Sequence, residues 1–233
     1  MTEALPQVLA ALLATVAAIT WHEAAHGCAA LWLGDDTALR RGRVSLNPLR
    51  HVDLVGTLLV PGLLLLGQLA AVGRIVVLFG WLKPVPVDAS RFRHPRRGMA
   101  LVAAAGPASN FVLAWAAGLL LHALPLLPDG LYDEGGTLLG FLILANLVLG
   151  LFNLVPVPPM DGGRILVGLL PMRAARVWAG LERVGILAVL LVLFGVPRLL
   201  QAFGVPFDPV GEMLDRGIPW MTGWLLWLSF NGD

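Results

Sequence analysis

The chain has 233 residues, 58% of them hydrophobic and 13% charged, with a formal net charge of +1 and a mean hydropathy of +0.80. Soluble chains average about 45–50% apolar and about 25% charged residues, so the composition excludes an ordinary soluble domain, and with a near-zero net charge no overall field argues for nucleic acid. The single cysteine, Cys28, excludes an internal disulfide and a cysteine-based zinc cluster.

A helix rises about 1.5 Å per residue, so about 20 apolar residues cross a bilayer. Nearly uncharged stretches run over 4–21 and on to 34, then 54–73, 98–128, 135–160, 184–197 and 217–232. They predict an all-α polytopic membrane protein of about five to six transmembrane helices. It is read as one domain over 1–233, with a core over about 8–170 and C-terminal helices over about 174–230. The opening MTEALPQ has an acid and no basic residue, so it lacks the positive flank of a signal peptide, and the first span is expected to stay attached.

Short loops rich in Lys and Arg stay on the cytoplasmic side. Segment 34–53 carries Arg40, Arg41, Arg43 and Arg50; segment 73–97 carries Arg74, Lys83, Arg91, Arg93, Arg96 and Arg97; segment 157–178 carries Arg164, Arg173 and Arg176. Segment 122–136 has Asp129, Asp133 and Glu134 and no basic residue, so it is expected outside. Stretch 54–73 then begins and ends on one side. Its Gly56, Pro61, Gly62, Gly67 and Gly73 predict a re-entrant hairpin, which survives at membrane depth only when buried in protein or lining a polar cavity. TALRRGRVSLN (37–47) has β character and is expected to pair with KPVPV (83–87), giving a small β element beside the active site.

Within the first span stands AITWHEAAHGCAALWL, residues 18–33. On a helix His22 and His26 share a face and can reach one metal, while Glu23 is placed to act as general base. Ionisable residues inside a span are expensive to bury and point to function. A catalytic zinc takes three protein ligands and keeps a fourth position open for water, so a third ligand is needed. His26 lies roughly 10 Å inside the cytoplasmic end of its helix. Stretch 135–160 runs inward to that side and delivers Asp161 in NLVPVPPMDGGRIL, where Pro156, Pro158 and Pro159 break the helix. His51 and Asp53 compete for the same role, although a cap or an orienting hydrogen bond suits them better. His94 and His122 are expected at the interface, and Cys28 as a small packing residue on another helix face.

Asn146 and Asn153, seven apart, share a helix face, and Asn110 follows in the preceding span. Buried amides often tie membrane helices together, which is the reading for Asn146. For Asn153 that reading stands beside another, donation to the oxyanion of a tetrahedral intermediate.

HEAAH in one span, AGPASN (105–110) in a later one and NLVPVPPMDGG (153–163) in the next resemble, in content and order, the site-2 protease family of intramembrane zinc metalloproteases. GWLKPVPV and SLNPLRHVD are similar to segments of its compact prokaryotic members, which lack a PDZ or CBS domain. The resemblance implies one Zn2+ per chain on His22, His26 and Asp161, with Glu23 as base and Asn153 near the substrate carbonyl. It implies single-span membrane proteins as substrates, in a prokaryotic cytoplasmic membrane with the site open to the cytoplasm. Two rival functions remain, a metal-ion transporter and a catalytically inactive scaffold that binds membrane proteins. Replacing Glu23 with Gln separates them from a protease, since only a protease loses cleavage while keeping zinc.

Overall fold

The computed structural model describes residues 4–60, 62–63, 66–67, 83–126, 128–183, 185, 191, 195–205 and 208–229. The first helix, α1, spans Ala4–Trp32, and Gly34 at φ +100° ends it in the left-handed region that glycine adopts without strain. A short α2 follows over Thr37–Arg40. The long α3, Pro95–Leu120, starts on a proline, whose missing N–H is no loss at a first helical position. Next come α4, Asp129–Asn153, and the short α5, Asp161–Leu169, and α6, Met172–Gly180; α7, Val196–Ala202, and α8, Pro209–Ser229, complete the order.

Among the described residues three helices are long and apolar enough to cross a membrane: Leu5–Trp32, Pro95–Leu126 and Gly130–Asn153. The chain is an integral membrane protein, and its packing has the polarity that lipid imposes. Large side chains such as Leu5, Leu9, Leu12, Leu13 and Val112 face outward, while Ala14, Ala18, Ala114, Ala117 and Gly118 lie at the helix contacts. With lipid as apolar as leucine, helices gain by close backbone approach through small residues rather than by hiding large ones. Helices α1, α3 and α4 pack on one another, α5 leans on α3, and α8 covers α3 and α4. Leu225 of α8 enters the cluster of Ala114, Ala117, Ile143 and Leu147.

The segment from 34 to 59 differs from expectation. The described residues contain no strand, so the β element predicted between 37–47 and 83–87 is not formed. Thr37–Arg40 is helical because Asp35 accepts from the Thr37 backbone N–H at 3.0 Å and Asp36 pairs with Arg40 one turn on, at 2.6 Å. Lys83 N–H donates instead to the carbonyl of His51, beyond the predicted strand, at 3.0 Å. Leu54–Leu59 forms a π-type helical turn, and the rest of the predicted hairpin lies largely outside the described residues. So does most of the predicted span over 184–197.

Candidate metal centre

Helices α1 and α3 run antiparallel, and one stripe of α3, with members four residues apart, faces the two histidines. His26 Nδ1 donates to the Val102 carbonyl at 2.7 Å, and His22 Nδ1 donates to Asn110 Oδ1 at 2.6 Å. Between them Gly106 forms the seat. A Cβ there would stand 2.5 Å from His26 Cε1 and 2.6 Å from His22 Cε1 and Nε2, so the imidazoles lie flat only against glycine. Pro107, buried beside it, supplies no N–H to the Ala103 carbonyl one turn back, and Ala103 borders the cavity described next.

Asp161 arrives on α5, which packs against α3. The stretch after α4 turns through Val155–Met160, and α5 begins on Asp161 itself, an acid at a helix N-terminus where the partial positive charge favours it. Gly162 and Gly163 let this turn close: a Cβ on either would collide with backbone of Leu154–Pro158. The carboxylate so placed has Oδ2 at 3.0 Å from His22 Nε2 and 3.4 Å from His26 Nε2, and the two Nε2 atoms are 3.0 Å apart. His22 and Asp161 are buried.

These distances test the fit of a cation. Both Nδ1 atoms donate, so in the neutral imidazoles both Nε2 atoms carry lone pairs. Asp161 Oδ2 is buried and finds no hydrogen-bond donor. Three acceptors thus converge with no proton among them, an arrangement that repels itself unless a positive ion sits at its centre. Tetrahedral zinc with bonds of about 2.0–2.1 Å places its ligands about 3.3 Å apart, which matches the observed triangle. Among the described residues this is the one group of three His, Cys, Asp or Glu side chains close enough to share a metal.

A cavity of ≈ 490 Å³ opens onto the trio, bordered also by Glu23, Asn153, Arg164 and the segment of Pro84, Val85 and Val87. Asn153, the last residue of α4, donates one amide N–H to the Leu149 carbonyl at 3.0 Å and lines the cavity with the rest of its side chain. Segment 83–88 is fastened at both ends, by Lys83 N–H to the His51 carbonyl and by Asp88 N–H to Asp35 Oδ2 at 2.7 Å. Arg164, one turn past Asp161, is held by Glu182 at 2.6 Å.

The structure separates the competing candidates. Asp53 caps the turn at Leu54–Leu59, accepting from the N–H groups of Val55 and Gly56 at 3.0 and 2.7 Å, and His51 is buried with Nε2 donating to the Ser45 carbonyl at 2.8 Å. Neither joins the metal trio. His94 is exposed at the start of α3, and His122 donates to the Ser229 carbonyl at 2.8 Å. Cys28 is exposed rather than packed, a correction that follows from its position on the outer face of α1. The partnership of Asn110 with His22 escaped the sequence reading, although AGPASN holds its signal: Gly106 and Asn110 lie four apart and must share a helix face.

A family model described as Peptidase family M50 matches residues 133–195, the stretch that carries Asn153 and Asp161. YwhC of Bacillus subtilis, whose name provisionally assigns it as a zinc metalloprotease, is 38% identical over 186 residues, covering 78% of this chain and 78% of that protein. Rip2 of Mycolicibacterium smegmatis, with a like provisional name, is 32% identical over 184 residues, 78% of this chain and 65% of its own. A zinc metalloprotease of Methanocaldococcus jannaschii is 33% identical over 123 residues, 49% of this chain and 33% of that protein. No solved structure matches the chain.

Proposed function

The chain belongs to peptidase family M50, the site-2 proteases, and from that premise we propose that it is an intramembrane zinc metalloprotease that hydrolyses peptide bonds within or near transmembrane segments of single-span proteins. The observation that carries the reading is the convergence of His22 Nε2, His26 Nε2 and Asp161 Oδ2 within 3.4 Å of one another, beside Glu23 on a shared cavity.

His22, His26 and Asp161 would hold zinc, which when bound acts as a Lewis acid that acidifies water and polarises a carbonyl. Glu23 follows His22 directly on α1, so its carboxylate lies at the cavity edge rather than among the ligands. There it takes the proton of the attacking water and returns it to the leaving nitrogen. Asn153 has a second amide N–H to offer the carbonyl oxygen as charge builds on it. A peptide bond inside a helix is shielded by its own hydrogen bonds, so the substrate unwinds locally. The backbone of Val85 and Val87 at the cavity, beside prolines that cannot donate, would offer N–H groups to the freed strand.

The arginine-bearing stretches that follow α1, precede α3 and follow α4 support a site that opens to the cytoplasm. The test is to purify the protein in detergent, count zinc per chain, and present single-span substrates to the wild type and to Glu23→Gln. The reading requires about one zinc in both forms and cleavage in the wild type alone. Zinc binding with no cleavage of any substrate by either form would favour a transporter or scaffold instead.

A further inference from the structure

A neutral histidine is free to carry its proton on either ring nitrogen, yet both imidazoles must present a bare Nε2 to the cavity. For His26 the main chain decides. The Val102 carbonyl can only accept, so the proton sits on Nδ1. For His22 the partner is the Asn110 side chain, and an amide turned end for end would offer its nitrogen, forcing the opposite tautomer.

Two carbonyls elsewhere forbid that turn. Asn146 donates its amide nitrogen to the Leu142 carbonyl at 2.8 Å, one turn back on α4, so its oxygen must point toward α3. The Asn110 nitrogen meets that oxygen at 2.8 Å and the Ala18 carbonyl of α1 at 3.3 Å. Reversing Asn110 would set its oxygen against two other oxygens. Asn110 and Asn146 are both 0% exposed, so no solvent relieves such a mismatch. The polarity therefore passes in one direction, from the Leu142 carbonyl through Asn146 and Asn110 to the imidazole.

We infer that Asn146 and Asn110 form a polarised relay that fixes the proton of His22 on Nδ1 and turns its Nε2 lone pair into the metal site. Both asparagines are positioning residues. They act on the metal through His22, and that consequence rests on the metalloprotease reading, whereas the tautomer does not. A relay differs from a mere tie between helices in having a direction, and substitutions expose it. Asn110→Asp keeps an oxygen for His22 Nδ1–H while losing both donations; Asn110→Leu loses everything.

The experiment measures zinc affinity by chelator competition, and thermal stability, for the full-length wild type, Asn110→Asp, Asn110→Leu and Asn146→Leu in detergent. Asn110→Leu should bind zinc about 10–100-fold more weakly, Asn146→Leu less severely so, and Asn110→Asp within about threefold of wild type despite a lower melting temperature. A simple tie predicts equal losses in Asn110→Asp and Asn110→Leu, and that result overturns the relay. Should the leucine variants fail to fold, nitrogen-15 NMR of histidine-labelled, metal-free wild type decides it. A protonated Nδ1 and bare Nε2 on His22 support the relay, and the reverse tautomer sinks it. Failure of the wild type to bind zinc would instead defeat the metalloprotease reading and leave this tautomer measurement to judge the relay.

Discussion

Among the described residues two carboxylates are buried, one where α1 passes into α2 and one at the start of α5, and their surroundings are opposite. Asp35 is 0% exposed and saturated: Thr37 offers its backbone N–H and its hydroxyl, Asp88 its backbone N–H, and the Arg91 guanidinium lies 3.8 Å away. Asp161 is 6% exposed, and its Oδ2 faces two imidazole nitrogens with no hydrogen-bond donor. A buried acid supplied with every partner holds a fold together; one left without a donor stands ready for a ligand. The first fastens segment 83–88 over the cavity, and the second completes its metal site.

The largest effect that separates the two is metal content. Asp161→Ala should reduce bound zinc from about one equivalent to near none while the helices stay folded, whereas Asp35→Asn should keep its zinc; elemental analysis of the purified proteins, with circular dichroism, checks both. Loss of zinc in Asp35→Asn at intact helicity would break the contrast. Next comes Glu23→Gln, expected to lower cleavage by about 10²–10⁴-fold with zinc retained, measured as single-turnover product formation. Gly106→Ala drives a methyl into both imidazoles, so zinc affinity should fall roughly tenfold or more, as read by chelator competition.

Smaller effects belong to the saturated acid. Asp35→Asn removes one acceptor from a fully hydrogen-bonded carboxylate and should cost about 1–3 kcal/mol, measured by thermal or denaturant unfolding in detergent. The pH dependence sharpens this further. Burial by itself would raise the Asp35 pKa, but the hydrogen bonds from Thr37 and Asp88, with Arg91 nearby, hold it below its ordinary 3.8. A depressed carboxylate contributes stability above the unfolded pKa and loses it as the pH falls through the folded one. The gap between wild type and Asp35→Asn should therefore be full above about pH 4 and close progressively in more acid buffer.

The membrane spans were legible because transfer into lipid is a property of consecutive residues, and the three helices long and apolar enough to cross, α1, α3 and α4, each cover most of one of the uncharged stretches. His22 and His26 were legible for a related reason: the period of the helix alone sets them on one face, with Glu23 beside them. Asp161 was reached by an argument from side and depth, helped by the prolines that precede it. The β element failed where local polar chemistry, Asp35 and Asp36 closing a helical turn, outweighed the alternation of RRGRVSLN.

By itself, then, the order of residues determined which segments enter the bilayer and which side chains share a helix face, since both follow from near neighbours in the chain. Only the tertiary structure decided that Asp161, 135 residues beyond His26, meets it at 3.4 Å, that Asp53 caps a turn instead, and that Asn110 takes His22 rather than only a neighbouring helix. Hydrogen bonds and ligand spheres saturate with whatever groups packing brings within about 3 Å, and that choice is made between helices, where sequence spacing carries no distance.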